Sequence, residues 1–455
     1  MSLMGALGAA TTGLDSIAKQ LAVVSHNVAN AGTPGYVRES VAVQDAGAYG
    51  VGIGVRTGPA ARSLDEALQG QLLVSSAGVA GQGVRSASLA QLDAAAGKPG
   101  SGYDLPGLLG ALRDGFSALA SDPANGTQQR QVVAAADGLA RGFNALGAAV
   151  SAARQAAQDG IVADVGAANA ALRSMGALSD QIIAAQARGD SVAGLEDARD
   201  QQVQVVANLT GARFLRQANG DMLAVAGGTL LSLRAASGPL AVQPATLAPD
   251  TPAAAVPRVM VGGLDVTASL TGGRIGANLA LRDAVLPGVQ AGLDGVAQAV
   301  ASGFAAAGLA LFTDVLGAVP TAALPGFAQG MQVSAAVRAV PAMLRDGAGP
   351  AGPAGSTALI DAMLDGVLLG GAGSVAAQAS SLSAGIAQDA AGSASALDAG
   401  TAAQSSLQAK LTAGSGVSVD SELATMVRLQ GAYAANAKVI AATNSMWQAL
   451  LDSVR

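Results

Sequence analysis

Few residues in this chain could carry catalysis or bind a metal. The sequence has no cysteine and a single histidine, His26. A nucleophilic serine needs a positioned base, and no G-x-S-x-G motif accompanies His26. A metal site needs several ligands, and no carboxylate lies within a helical turn of this histidine. We therefore predict no catalytic residue, no metal site and no cofactor, and we expect His26 to have a packing role.

Three closely spaced charges, Asp197, Arg199 and Asp200, are the second candidate for chemistry. A glycan-cleaving enzyme would need two positioned carboxylates in a cleft. Opposite charges a few residues apart on a helix more often form ion pairs. We interpret this group as an ion pair where a helix gives way to a hairpin, and we predict that the protein is not an enzyme.

Two asparagines near the N-terminus, Asn27 and Asn30, offer a third possibility. They stand at the end of an apolar helical stretch that should stop near Gly32, since Pro34 cannot continue a helix. Side-chain amides both donate and accept, so they suit a helix end whose carbonyls lack partners. Two roles remain open here, a local C-terminal cap and a contact with neighbouring subunits.

Both ends of the chain carry a seven-residue apolar repeat. Steps of four and three run from Leu3 to Ala31 and again from Leu423 to Val454, the pattern of a coiled-coil seam. Gln430 and Asn444 occupy seam positions, where a buried amide fixes register. The predicted assembly seam contains Leu14, Ile17, Leu21, Val24, Val28, Leu423, Met426, Tyr433, Ile440, Trp447 and Leu451.

The two ends together carry a family resemblance. The N-terminal motif consists of Asn27, Asn30, Thr33, Gly35 and Tyr36, and its counterpart is Ala432-Tyr433-x-Ala435-Asn436-Ala437-Lys438-Val439-Ile440. This pair resembles the terminal signature of the bacterial flagellar rod, hook and hook-associated proteins. Interior blocks, among them Arg130-Gln131-x-Val133 and Leu195-x-Asp197-x-Arg199-Asp200-Gln201, are similar to the hook-associated members at the first hook–filament junction. Many of those members carry a larger outer domain, and this chain has little beyond 313–355 in its place.

Composition excludes several classes of partner. The 455 residues carry a net charge of −6, and a nucleic-acid-binding surface would need to be basic. The uncharged stretch 295–313 is too rich in Ala and Gly for a membrane span. The first cation is Lys19, so the N-terminal residues do not resemble a cleavable signal. We predict no nucleic-acid partner, no membrane span and no cleaved signal.

Periodicity predicts a mainly α fold with a small β insertion. Helical spacing runs from 62 to 208 with breaks at 97–102, 122–123 and 189–190, and the tight-turn pairs Asn219-Gly220 and Gly262-Gly263 mark hairpins. We expect three domains: a terminal coiled coil (1–60 and 413–455), a discontinuous bundle of long helices (61–210 and 274–412), and a β domain at its tip (211–273).

The resemblance implies a structural protein that polymerises at the junction between flagellar hook and filament. It implies export through the flagellar type III apparatus to an extracellular location, with a chaperone on the C-terminal region. The implied partners are further copies of the chain, the hook protein, the second hook–filament junction protein and the filament cap protein. Another axial subunit, from hook or rod, is the alternative, although its middle should be mainly β.

Overall fold

The computed structural model describes residues 3–33, 35–48, 51–98, 100–322, 324–350, 352–368 and 374–453. Most of these residues are helical, and the strands are few and mostly short, which confirms the mainly α fold with a small β insertion. The helices are α1 Leu3–Asn30, α2 Glu66–Ala96, α3 Leu105–Ser121, α4 Gly126–Arg188, α5 Ala193–Thr210, α6 Gly273–Ala280, α7 Leu286–Ala306, α8 Phe327–Gly330, α9 Ala335–Ala339, α10 Met343–Asp346, α11 Ala358–Met363, α12 Val375–Ser415 and α13 Val419–Asp452. The strands are β1 Glu39–Ala48, β2 Val51–Arg62, β3 Arg213–Arg216, β4 Met222–Ala226, β5 Thr229–Leu231, β6 Leu240–Ala241, β7 Met260–Val261, β8 Leu264–Asp265, β9 Phe312–Thr313 and β10 Gln332–Val333.

The long helices end where local chemistry stops them. Gly97 follows α2 and Gly189 follows α4, both with positive φ, a conformation that glycine adopts without a steric penalty. Asp122 closes α3 in a non-helical conformation just before Pro123. All three predicted breaks are therefore found. The expected helix start near Arg62 lies later, because β2 continues to that residue and α2 begins at Glu66.

Two compact units make up the chain. The first contains residues 1–77, 167–240 and 401–455. Within it, α1 and α13 contact each other, and the long β1–β2 hairpin packs on α1. Strands β3, β4 and β5 form an antiparallel sheet whose first turn contains the predicted pair Asn219-Gly220.

The second unit contains residues 78–166 and 241–400. Its core is helical and includes the fully buried rings of Phe116, Phe143 and Phe304. The ring centroids of Phe116 and Phe304 lie 5.7 Å apart in a stacked arrangement. A π-helical turn at 281–285 joins α6 to α7 directly before Pro287, whose missing N–H disturbs the regular helical hydrogen bonds.

This division of the chain differs from the three expected domains, because the segment 211–273 is shared between the two units. In the first unit, buried Arg199 of α5 donates to the carbonyl of Gly220 at 2.7 Å. In the second, Arg154 of α4 donates to the carbonyls of Ala248 and Thr251. Each half of the segment is thus hydrogen-bonded to helices of its own unit. The change from helical to strand-like spacing of apolar residues at Gly211 therefore marks the end of a helix and does not start a separate compact unit.

Candidate functional site

The N-terminal motif lies in the first unit, where the chain leaves α1 and enters β1. Asn27 is buried, and its side chain pairs with the backbone of Glu39. Its Nδ2 donates to the Glu39 carbonyl and its Oδ1 accepts from the Glu39 N–H, both at 2.9 Å. The same Oδ1 accepts a hydrogen bond from the Tyr36 hydroxyl at 2.8 Å. Asn27 therefore acts like a neighbouring strand for Glu39 and fixes the first residue of β1 against α1.

Asn30 has a more local role than Asn27. Its Nδ2 donates to the carbonyl of His26 one turn earlier, and its Oδ1 accepts from the Thr33 hydroxyl at 3.3 Å. These bonds satisfy groups at the end of α1, as a C-terminal cap would. Gly35 follows with a φ of +82°, so the chain can turn towards β1.

His26, Tyr36 and Glu39 form a small polar cluster beside this turn. The rings of His26 and Tyr36 meet edge to face at 5.5 Å, and Nδ1 of His26 lies 3.2 Å from the Tyr36 hydroxyl. The same nitrogen lies 3.4 Å from a carboxylate oxygen of Glu39. Burial, reinforced by the charges of Glu39, Asp197 and Glu422, raises the pKa of Tyr36. The phenol therefore stays protonated and keeps donating to Asn27.

The motif is also joined to the C-terminal segment. Nε of Arg38 donates to Glu422 at 2.6 Å, and the Arg38 N–H donates to the carbonyl of Ser415 at 3.0 Å. The Glu422 side chain is almost fully buried and sits in the first turn of α13, where a negative charge is favourable. Sequence reasoning missed this pair, and only the placement of Glu422 in an acidic first turn hinted at it.

Helices α1 and α13 run antiparallel. Arg38, just beyond the end of α1, meets the first turn of α13, whereas Gly13 lies deeper in α1 against Asn436. A Cβ added at Gly13 would stand 3.4 Å from the Asn436 amide, so the helices approach closely there. Glycine at this position lets an asparagine of the C-terminal motif lie against α1.

The predicted seam residues divide into two groups. Ile17 and Val24 are buried, and five others are half-buried: Leu14, Leu21, Val28, Met426 and Ile440. Leu423, Tyr433, Trp447 and Leu451 of α13 are exposed by 45%, 46%, 49% and 57%. On α13 the buried positions are instead Glu422 and Thr443. Within one chain, α13 therefore leaves much of its predicted seam open, and the role of that seam in assembly stays a prediction.

The β1–β2 hairpin is held against α1 by small contacts. The Val55 N–H donates to the Thr12 hydroxyl at 3.3 Å, and Lys19 donates to Thr57 at the same distance. Gly54 has a φ of +140°, and a Cβ there would overlap the Thr12 hydroxyl oxygen. Both the backbone conformation and the space therefore require glycine at this position.

Charged residues tie the end of this hairpin to α5. Arg62 is buried and donates to Asp200 at 2.5 Å, while its Nη1 lies 3.2 Å from Asp197. Arg216 of β3 binds both carboxylate oxygens of Asp200 at 3.0 Å. The two aspartates are thus engaged with arginines, as ion pairs should be. Arg199 differs from the expectation, because it donates to Ser179 and to the Gly220 carbonyl, and no carboxylate among the described residues forms an ion pair with it.

Asp197 is the group in this cluster whose ionisation is most disturbed. Burial raises its pKa from 3.8 to about 6, against the opposing effects of the Arg62 charge and of a hydrogen bond from the Val37 backbone. A raised pKa means that the folded state disfavours the charged carboxylate. The free energy that protonated Asp197 contributes to folding is fully present below pH 3.8. It is lost as the pH rises through about 6.

We expect Asp197→Asn to gain stability relative to the parent as the pH rises. Since each pKa unit corresponds to about 1.4 kcal/mol, the difference in unfolding free energy should grow by about 2 kcal/mol between pH ~4.5 and ~7.5. Urea unfolding at the two pH values measures this difference. If the difference in unfolding free energy between variant and parent did not change with pH, burial would not be what raises the pKa of Asp197. Asp190→Asn is the control, because the Asp190 side chain is more than half exposed.

Among the residues that the structure describes, no group of three or more His, Asp and Glu side chains is placed to hold a metal ion. No described helix combines the length and apolarity that a membrane crossing requires.

Comparison with known proteins identifies two regions. Residues 89–309 match the family described as "Flagellar hook-associated protein FlgK helical domain". Residues 408–453 match "Flagellar basal body rod FlgEFG protein C-terminal". No curated protein matches the chain.

One solved structure that the chain resembles is that of the flagellar hook junction protein FlgK from Burkholderia pseudomallei. The two are 25% identical with a TM-score of 0.44, over 55% of this chain and 45% of the other. The chain thus aligns with less than half of that protein's length. The two matches concern different families, one in the helical middle of this chain and one at its C-terminal helix, and each covers less than half of the chain. The helical middle of the chain is therefore similar to the helical domain of the FlgK-like flagellar hook-associated proteins.

Proposed function

We propose that this protein is a structural subunit that polymerises at the junction between flagellar hook and filament and links the two. The observation that carries the proposal is the arrangement of the termini. Helices α1 and α13 pair within one chain, yet Leu423, Tyr433, Trp447 and Leu451 of α13 stay exposed. Apolar side chains spaced along a helix and left open to solvent are typical of a surface that binds another protein.

In the assembly, the terminal helices would form a coiled-coil layer with those of neighbouring subunits. The helical middle, which matches the FlgK helical domain, would form the next layer. The proposed partners are further copies of the chain, the hook protein, the second hook–filament junction protein and the filament cap protein. An export chaperone would bind the C-terminal region before assembly.

Immunogold labelling of purified hook–basal bodies with attached filament stubs tests this placement. We expect label in a narrow band between hook and filament. Label along the hook or within the rod would favour the alternative of another axial subunit. Label at none of these places would overturn the proposal.

We further propose export through the flagellar type III apparatus without loss of α1. Residues within α1 hold the structure together, since Asn27 fixes β1 and Thr12 contacts the hairpin. Removal of α1 would therefore expose the buried side of the β1–β2 hairpin. Mass spectrometry of the extracellular protein should find the sequence from Leu3 onwards, and the loss of ten or more N-terminal residues would contradict the prediction.

A further inference from the structure

The apolar seam between α1 and α13 does not by itself fix how far the two helices are shifted along each other. Alanine recurs throughout α13, so a shift by one seven-residue repeat would bring similar small side chains against α1. The amides Gln430 and Asn444, which the sequence predicts as register-fixing residues, are both exposed within the chain. Another feature must therefore set the register of this helix pair.

Arg38 connects three segments of the chain beside the helix pair. Its N–H donates to the carbonyl of Ser415 at the end of α12 at 3.0 Å, and its carbonyl accepts from the N–H of Ser63, just after β2, at 2.8 Å. Its Nε donates to Glu422 in the first turn of α13 at 2.6 Å. The start of α13 is thus tied to the base of the β1–β2 hairpin through one residue.

The ion pair with Arg38 suits only one position of α13 along α1. The Glu422 side chain is 1% exposed, and its Oε2 has no hydrogen-bond partner among the described residues. A shift of α13 by one seven-residue repeat moves it by about 10 Å along its axis. Such a shift would separate Glu422 from Arg38, and a carboxylate that is buried without its cation is strongly destabilising.

The next residue fixes the position of α1 in the same way. Glu39 exchanges two backbone hydrogen bonds with the side chain of Asn27 in α1, both at 2.9 Å. Arg38 and Glu39 are adjacent, so α1 and α13 are both attached to one short stretch of backbone. The position of each helix along the other follows from these two attachments.

We propose that Arg38, through its ion pair with Glu422, is the positioning residue that sets the register of α13 on α1. A buried ion pair adds little net stability compared with apolar residues of similar size, and specifying a register is its best-attested use. The register decides which seam side chains of α13, Trp447 among them, are left open to a neighbouring subunit. That consequence rests on the proposed polymerisation, whereas the register is a property of the single chain.

Disulfide formation within one chain reports the register, because the protein has no cysteine of its own. A Cβ at Gly13 would lie 3.5 Å from Cγ of Asn436, so the thiols of G13C/N436C can reach each other in the observed register. G13C/L429C and G13C/T443C report a shift by one repeat in either direction. Under mild oxidation of the dilute monomer, we expect G13C/N436C to close at least roughly tenfold faster than either of the other two pairs.

The substitutions R38M/E422M, added to each cysteine pair, remove both charges and keep similar side-chain volumes. The melting temperature should fall by no more than about 3 °C, but the preference for G13C/N436C should drop below roughly threefold. E422Q keeps the shape of the side chain and provides the same test should R38M/E422M lose helix content by circular dichroism. The control R188M/D190M removes an ion pair of the same unit whose side chains are 63% and 55% exposed, and it should keep the full preference.

A folded R38M/E422M variant that keeps the full preference for G13C/N436C overturns the role of Arg38. Loss of the preference in both R38M/E422M and R188M/D190M also overturns it, because the effect would then not be specific to this pair. Sedimentation of the parent protein separates this inference from the proposed function. A chain that shows the Arg38-dependent register but never assembles overturns polymerisation alone, and a chain that assembles without this dependence overturns the register inference alone.

Discussion

Asn27→Ala should expose the start of β1 to solvent, and the backbone amide of Glu39 should exchange its hydrogen far faster than in the parent. The substitution leaves the Glu39 N–H and carbonyl without their side-chain partner, and the Tyr36 hydroxyl then keeps the His26 ring nitrogen, 3.2 Å away. A buried polar group left unpaired costs about 1–3 kcal/mol. We expect the local opening free energy at Glu39 to fall by at least ~2 kcal/mol, which corresponds to roughly 30-fold faster exchange.

Asn30→Ala is the matched control, since the motif contains both asparagines one helical turn apart. Among the described residues, the side chain of Asn30 bonds to His26 and Thr33, close by in sequence and near the surface. Its loss should change the exchange of Glu39 by less than about twofold, in line with the small cost of an exposed substitution. Equal effects of the two variants would show that the motif acts only as a helix cap and that the Asn27–Glu39 pairing contributes little.

The comparison of Asn27 with Asn30 also shows how far sequence reasoning reached. A cap at the end of α1 follows from local chemistry, and Asn30 fulfils that expectation. The partner of Asn27 is a strand residue beyond a turn, and no periodic pattern encodes a side chain that pairs with the backbone of a later strand. Sequence therefore left both roles open, and the structure assigns a different one to each asparagine within the chain.

Helix ends and tight turns were predictable because their causes are local. Gly97 and Gly189 stop helices through their own backbone freedom. Asn219-Gly220 favours a tight turn through its own residue types, to which Arg199 of α5 adds a hydrogen bond at the Gly220 carbonyl. Arg38 and Glu422 were not predictable as partners, since 384 positions separate them in sequence. A lone charge at the end of a helix or strand indicates some partner but cannot specify which one.

The face of α13 that meets α1 was ambiguous for a physical reason. Alanine and glycine are so frequent that several seven-residue frames along α13 look apolar. Because their side chains are small, they give little indication of which frame forms the contact. The predicted frame and the observed contact share Met426 and Ile440 but differ at Leu423, Trp447 and Leu451. Met426, Tyr433, Ile440 and Trp447 follow one another at seven-residue steps, so the exposed seam residues lie on the same side of α13 as the half-buried ones, and a neighbouring subunit could cover the positions that α1 leaves open.

The exposed seam positions of α13 lead to the largest effect we expect, which is on assembly. The antiparallel register that sets Gly13 beside Asn436 puts Trp447 level with the start of α1, so α1 covers it poorly. Trp447 is the only tryptophan, and it is about half exposed. In the monomer its fluorescence should be red-shifted and readily quenched by acrylamide, and it should become blue-shifted and protected in the polymer.

Trp447→Ala should therefore damage polymerisation and spare folding. Loss of a buried tryptophan costs about 3–5 kcal/mol, so the concentration needed for assembly should rise by roughly 100-fold or more if neighbours bury this side chain. The melting temperature of the monomer should change by less than about 2 °C, because an exposed side chain contributes little to stability. Sedimentation over a concentration series and thermal unfolding monitored by circular dichroism measure the two effects separately.

Tyr103→Ala is the control for removing an exposed aromatic side chain as such, since Tyr103 is 85% exposed, belongs to the second unit and is not a residue of the predicted seam. It should leave both assembly and melting unchanged. A monomer of Trp447→Ala that melts many degrees lower would mean that Trp447 belongs to the core of the single chain. Normal assembly of this variant would mean that the open face of α13 is not the polymer contact. Only selective loss of assembly is consistent with a seam that neighbouring subunits complete.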